Sequence, residues 1–189
     1  MYTDYHEIIR NNKNTLTLFK VKWLFCDWIH DYEDYLFVVM DTCALISHVI
    51  DERVLYDMIF KHTGISEDKV LIYIPYQVRH ELQDLKAKTI GPYITICLKF
   101  KRSNVVWQHP LEFNTEVIYS QEIDDLLEQK TGIVRSAPTG DDRIFMTTII
   151  LKEYVNTVVF VSKDKRLLSK TKLNGINTIE SNSTSLIRR

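Results

Sequence analysis

Glycine and proline are scarce, five and four in 189 residues, too few for a collagen-like chain or extended low-complexity disorder. Neither sign of charge is in excess: 24 basic residues face 25 acidic ones, a net charge of −1. No long-range field therefore gathers a polyanion, and any nucleic-acid binding must rest on local clusters. The three cysteines, Cys26, Cys43 and Cys97, are far apart, each within apolar sequence. They form no CxxC pair and no Cys/His array, which argues against structural zinc and leads us to expect buried, reduced thiols. No run is long and apolar enough to span a bilayer, and no basic stretch leads into an apolar one near Met1. The expectation is an intracellular protein of nucleus or cytoplasm with no membrane partner. Neither a P-loop nor a GxGxxG is present, so nucleotide-cofactor chemistry has no support.

What the chain does have is a set of short apolar runs separated by helical sequence. Hydrophobic residues make up 45% and charged residues 26%, ordinary values for one domain with a full core. Leu36 to Met40, Leu71 to Ile74, Val105 to Trp107, Thr157 to Val161 and Ile176 to Ile179 read as strands. Helical sequence follows Asp41, covers 51–62, runs from 76 with a break at Gly91-Pro92, and occupies Gln121 to Gln129, 139–154 and 165–173. Strands alternating with helices imply a three-layer α/β/α fold with a mostly parallel central sheet of about five strands. Residues 1–35 form a helical leader whose Leu18, Val21, Phe25 and Trp28 recur at helical spacing, a stripe suited to packing on the domain or to a protein partner. Residues 183–189 are a polar tail.

Four acids stand at the ends of these runs. Asp41 closes the first strand and Asp164 comes after the fourth; Glu81 borders the apolar stripe Val78, Leu82 and Leu85; Asp141 opens the helix that carries Ile144 and Phe145. Each has an ordinary structural reading as well. Asp41 can form a strand-end turn, Asp164 can cap a helix, Asp141 can complement a helix dipole, and Glu81 can pair at the surface. Jointly, however, they recur at equivalent points of successive α/β units, and ligands of an open parallel sheet gather at the carboxyl ends of its strands. Carboxylates brought together there repel one another unless protons or cations intervene. A divalent metal is the simplest reconciliation.

The segments VVMDT (Val38 to Thr42), IPYQVRHELQDLK (Ile74 to Lys86), TGDDRIF (Thr139 to Phe145) and VFVSKDKRLL (Val159 to Leu168) occur in that order. Over roughly 36–182 the chain resembles a PIN domain, and is most similar to eukaryotic PIN endonucleases of mRNA quality control, of the nonsense-mediated-decay and nuclear transcript-surveillance types. The resemblance implies that Asp41, Glu81, Asp141 and Asp164 are the metal-binding and catalytic acids. It gives supporting places to Thr42, Asp142 and Ser162. Cys43 departs from the family, which often has Asn there.

The same resemblance implies a metal-dependent endoribonuclease acting on single-stranded RNA in RNA processing or quality control. One or two Mg²⁺ or Mn²⁺ ions would activate the attacking water, and no histidine base is needed; His48 and His80 read as packing or surface residues. Lys86, Arg143, Lys163, Lys165 and Arg166, with Lys88, Lys99, Lys101 and Arg102, are the cations available to RNA. Trp107 and Tyr76 are candidates for stacking on bases, with core packing the ordinary reading of Trp107. The rival reading is a catalytically silent PIN-like scaffold that binds RNA or protein. A phosphatase of the aspartyl-phosphate type is set aside, because an Asp-x-Asp signature would need an acid where Cys43 stands.

Overall fold

The structure is a computed structural model in which residues 5–12, 29–48, 51–87, 104–108, 121–126, 128–129 and 139–181 are described. Five strands form one sheet: β1 (Leu36–Met40), β2 (Val70–Ile74), β3 (Val105–Trp107), β4 (Val158–Ser162) and β5 (Asn177–Glu180). Their order is β3-β2-β1-β4-β5, and every neighbouring pair is parallel. Val38 stands opposite Ile72 on one side and Val159 on the other. The sheet is thus parallel throughout, more uniform than the mostly parallel sheet expected.

Burial explains why three strands read as unbroken apolar runs. Every position of β1, β2 and β4 is buried, as happens when a parallel sheet is covered on both faces. The edge strands are partly exposed, and β5 accordingly carries Asn177, Thr178 and Glu180. Helices flank the sheet: α1 (Tyr5–Asn11), α2 (Thr42–His48), α3 (Glu52–Thr63), α4 (Tyr76–Ala87), α5 (Gly140–Lys152) and α6 (Lys165–Leu173), with a further helical piece over 121–126. In α5 every residue from Ile144 to Leu151 is buried, so the middle of this helix lies within the core on all sides, with Thr147 and Thr148 buried among its apolar residues. In contrast, α3 buries one face, through Leu55, Tyr56 and Ile59, and ends at Gly64, whose φ of 72° suits a residue without a side chain.

Within the leader, α1 turns Tyr5, Ile8 and Ile9 into the core, so these side chains are not offered to a partner. The Tyr5 ring meets Phe145 edge-on at 5.2 Å, and its backbone N–H donates to Asn174 Oδ1 at 3.2 Å. The stripe Leu18, Val21, Phe25 and Trp28 lies outside the described residues, as do Cys26, Cys97, Gly91-Pro92, most of 110–138 and the tail. Cys43 corrects an expectation, because it is exposed. The buried face of α2 is formed by Ala44, Leu45 and His48, and Cys43 shares the other side with Ser47.

Candidate active site

From β1 the chain winds outward through β2 to β3, and from β4 it winds the opposite way to β5. The switch of direction falls between β1 and β4, and beyond the carboxyl ends of such strands lies the usual ligand position in an open parallel sheet. Asp41 comes directly after β1, Ser162 is the last residue of β4, and Asp164 stands two residues on. The Asp41 N–H donates to Val161 O at 3.3 Å, which ties the two strand ends together.

Asp41 is only 5% exposed. Its Oδ1 accepts from the Ala44 N–H at 2.7 Å and its Oδ2 from the Ser162 hydroxyl. Burial raises its pKa above the ordinary aspartate value; the Ser162 and Ala44 bonds act against this, and the charges of Asp141 and Glu81 act with it. Glu81, one turn beyond Gln77 on α4, is half-buried. The Thr42 hydroxyl donates to its Oε2, and Gln77 Nε2 to its Oε1 at 3.1 Å. This carboxylate rests against the start of α5: a Cβ on Gly140 would overlap Glu81 Oε1 and stand 3.1 Å from Gln77 Nε2.

Asp141 is exposed in the first turn of α5. Partial desolvation raises its pKa, with the charges of Asp164, Glu81 and Asp142 adding to the rise, while Lys170 opposes them. Its neighbour Asp142 has another task. With Thr139 it forms a reciprocal cap on α5, and its Oδ1 accepts from Lys170 Nζ at 2.8 Å. Burial works to raise the Asp142 pKa, but the bonds from Lys170 and Thr139 prevail and lower it. Asp164 caps α6, its Oδ1 accepting from Arg166 N–H at 2.7 Å and Leu167 N–H at 3.1 Å. The helix-capping role considered for Asp164 and the first-turn position considered for Asp141 are therefore present in the structure.

The structure thus brings Asp141 into electrostatic reach of Asp41, Glu81 and Asp164, and Asp41 into reach of Glu81. Among the cations, Lys163 is half-buried between Ser162 and Asp164, and its charge is felt by Cys43 and His48. Lys165 and Arg166 are exposed in the first turn of α6, where Lys165 stands 3.7 Å from Glu180. Arg143 is half-buried in α5. Lys86 is exposed in the last turn of α4; five residues past Glu81, it sits roughly 7 Å farther along the helix axis. Lys88, Lys99, Lys101 and Arg102 lie outside the described residues. His48 is buried against Ser181 Oγ at 2.9 Å, and the exposed His80 packs edge-on to Tyr76. Trp107 is half-buried and packs against the core. Three contributors carried no mark in the sequence pattern that singled out the acids: Gln77, Gly140 and Lys170. Only Gln77 left a signal of its own, its four-residue spacing from Glu81 on one helix face.

Residues 38–182 match the family model for the PIN domain. The chain belongs to the PIN domain family. No curated protein matches it. Among solved structures, it is similar to a chain of VapBC2 from Rickettsia felis bound to a DNA fragment from their promoter, with a TM-score of 0.49 and 12% identity, covering 77% of this chain and 98% of that one. PIN domains are generally metal-dependent nucleases, and the observed sheet with its flanking helices is the PIN fold.

The site of this PIN domain suits a hard divalent cation in its chemistry. Its donors are carboxylate and hydroxyl oxygens, which Mg²⁺ and Mn²⁺ favour. Among the described residues no lysine or arginine makes an ion pair with Asp41, Glu81, Asp141 or Asp164, and the Lys170 charge, held on Asp142, only partly offsets the repulsion at Asp141. Among the same residues, however, no three His, Cys, Asp or Glu side chains are arranged to hold a metal ion between them. An ion here would therefore be held by one or two carboxylates and otherwise by water, as Mg²⁺ commonly is.

Proposed function

We propose that this PIN domain is a divalent-metal-dependent endoribonuclease that cuts single-stranded RNA, in RNA processing or mRNA quality control of the eukaryotic kind. The observation that carries the reading is the set of four acids around the switch point: burial and the charges of Asp141 and Glu81 raise the proton affinity of Asp41, burial and the charges of Asp164 and Glu81 raise that of Asp141, and no lysine or arginine among the described residues pairs with any of the four. Of Asp41, Asp141 and Asp164 we assign one or two to direct metal binding, Asp41 first among them, and the rest, with Glu81, to contact through water. The Ala44 N–H and the Ser162 hydroxyl fix the Asp41 carboxylate, while Thr42 fixes Glu81. Bound Mg²⁺ or Mn²⁺ supplies acidified water and neutralises charge on the leaving oxygen. Lys163, Lys165 and Arg166, neighbours of Asp164 in the chain, are assigned to the RNA backbone, with weaker parts for Arg143 and Lys86.

A single-stranded RNA oligonucleotide with Mn²⁺ is the direct test. We expect internal cleavage by the wild type and a loss of at least about a hundredfold in Asp41→Asn, since removing one preorganised charge from such a site commonly costs that much. RNA binding that is equal with and without metal, with no cut product, would instead mark a silent scaffold.

A further inference from the structure

Gly140 occupies the first position of α5, and its backbone does not require glycine. Among the described glycines only Gly64 and Gly175 have positive φ, and the chain turns normally into the helix after Thr139. What requires the missing side chain is Glu81, whose Oε1 fills the volume a Cβ would take. Gln77 Nε2 borders the same volume and donates to that same oxygen. Thr42 holds the other oxygen from α2. Three helices therefore meet on one carboxylate, and the three groups that shape its place, Thr42, Gln77 and Gly140, all lie outside the acids themselves.

We propose that Gly140 and Gln77 are positioning residues for Glu81: an empty side-chain volume and an amide that together set its carboxylate against the first turn of α5, next to Asp141, for a divalent cation. The proposal rests on the reading of this site as metal-dependent. Its physical content is specific. A carboxylate is placed beside Asp141 despite repulsion, because two hydrogen-bond donors and the positive end of α5 offset the cost. Moving it changes the field at the metal, while the core is untouched. Overlap with the far end of a flexible side chain is relieved by rotating Glu81 away, so the fold tolerates a methyl group at position 140.

Mn²⁺ binding by titration calorimetry and metal-free thermal melting separate these effects. Gly140→Ala is expected to melt at or above the wild-type temperature without metal, because alanine favours a helix over glycine. Its Mn²⁺ affinity should fall about ten- to a hundredfold, as for other groups that orient metal ligands. Gln77→Ala, which removes an amide and adds no bulk, should weaken binding in the same direction. In a Glu81→Ala background neither change should weaken it further. Wild-type Mn²⁺ affinity in Gly140→Ala and Gln77→Ala, or equal weakening with and without Glu81, overturns the proposal while leaving the metal reading in place. If the wild type itself binds no Mn²⁺, both the metal reading and the proposal fall.

Discussion

At the scale of single residues, Asp164 shows how one side chain serves both the fold and the site. It caps α6 through two backbone N–H groups, yet its charge also raises the proton affinity of Asp141. These roles separate by substitution. Asparagine caps a helix about as well as aspartate, so Asp164→Asn should leave metal-free stability unchanged or improved as repulsion is relieved. Asp164→Ala loses the cap and should cost about 0.5–2 kcal/mol. Urea melts of the two variants without metal measure the difference; a lower stability for Asp164→Asn would sink the repulsion argument. Asp142 differs from its neighbour because Lys170 neutralises it. Lys170 Nζ also lies 4.2 Å from the Phe145 ring centre, which anchors it. The two adjacent aspartates thus divide the work, Asp142 closing the helix and Asp141 facing the other acids.

At the scale of elements, β5 is joined to the site through its end. The Ser181 N–H donates to Ser162 O at 2.8 Å, and Ser181 Oγ meets His48 Nε2 on α2. Burial lowers the His48 pKa; the Lys163 charge lowers it further, and Asp51 works against both. The folded state consequently binds this proton less tightly than the unfolded chain, whose histidine titrates near about 6.5. The stability that neutral His48 contributes is full above that pH and declines as pH falls below it, toward the depressed folded value. Chemical denaturation at pH 7.5 and 5.5 should show this loss, and His48→Gln should flatten it. An equal slope in the variant would place the acid sensitivity elsewhere.

At the scale of the molecule, the like charges gathered around Asp41 and Asp141 repel in the metal-free protein, and a cation that binds only the folded state adds stability by mass action. At a hundredfold excess over its dissociation constant the gain is about 2.7 kcal/mol. Thermal melting should therefore rise with Mn²⁺ or Mg²⁺ and fall back on chelation, with Asp41→Asn losing most of the increment; an unchanged melting temperature in the wild type would count against metal binding. The layered parallel fold was legible in the chain because β1, β2 and β4 are buried on both faces and must be written as unbroken apolar runs. Asp41, Asp141 and Asp164 stood out as candidates because strand ends and first helical turns recur in order, and Glu81, in the middle of α4, because charge beside apolar sequence stands out. Sequence could not show that Asp142 belongs to Lys170, 28 residues away, or that Cys43 faces outward. Nor could it show why position 140 is glycine, because that reason is an oxygen of Glu81, distant in the chain and adjacent only after α4 and α5 pack. Local pattern determined the elements and the candidate acids; which groups restrain each carboxylate was decided by tertiary packing, since hydrogen bonds and repulsion depend on distance in space, and periodicity carries no record of it.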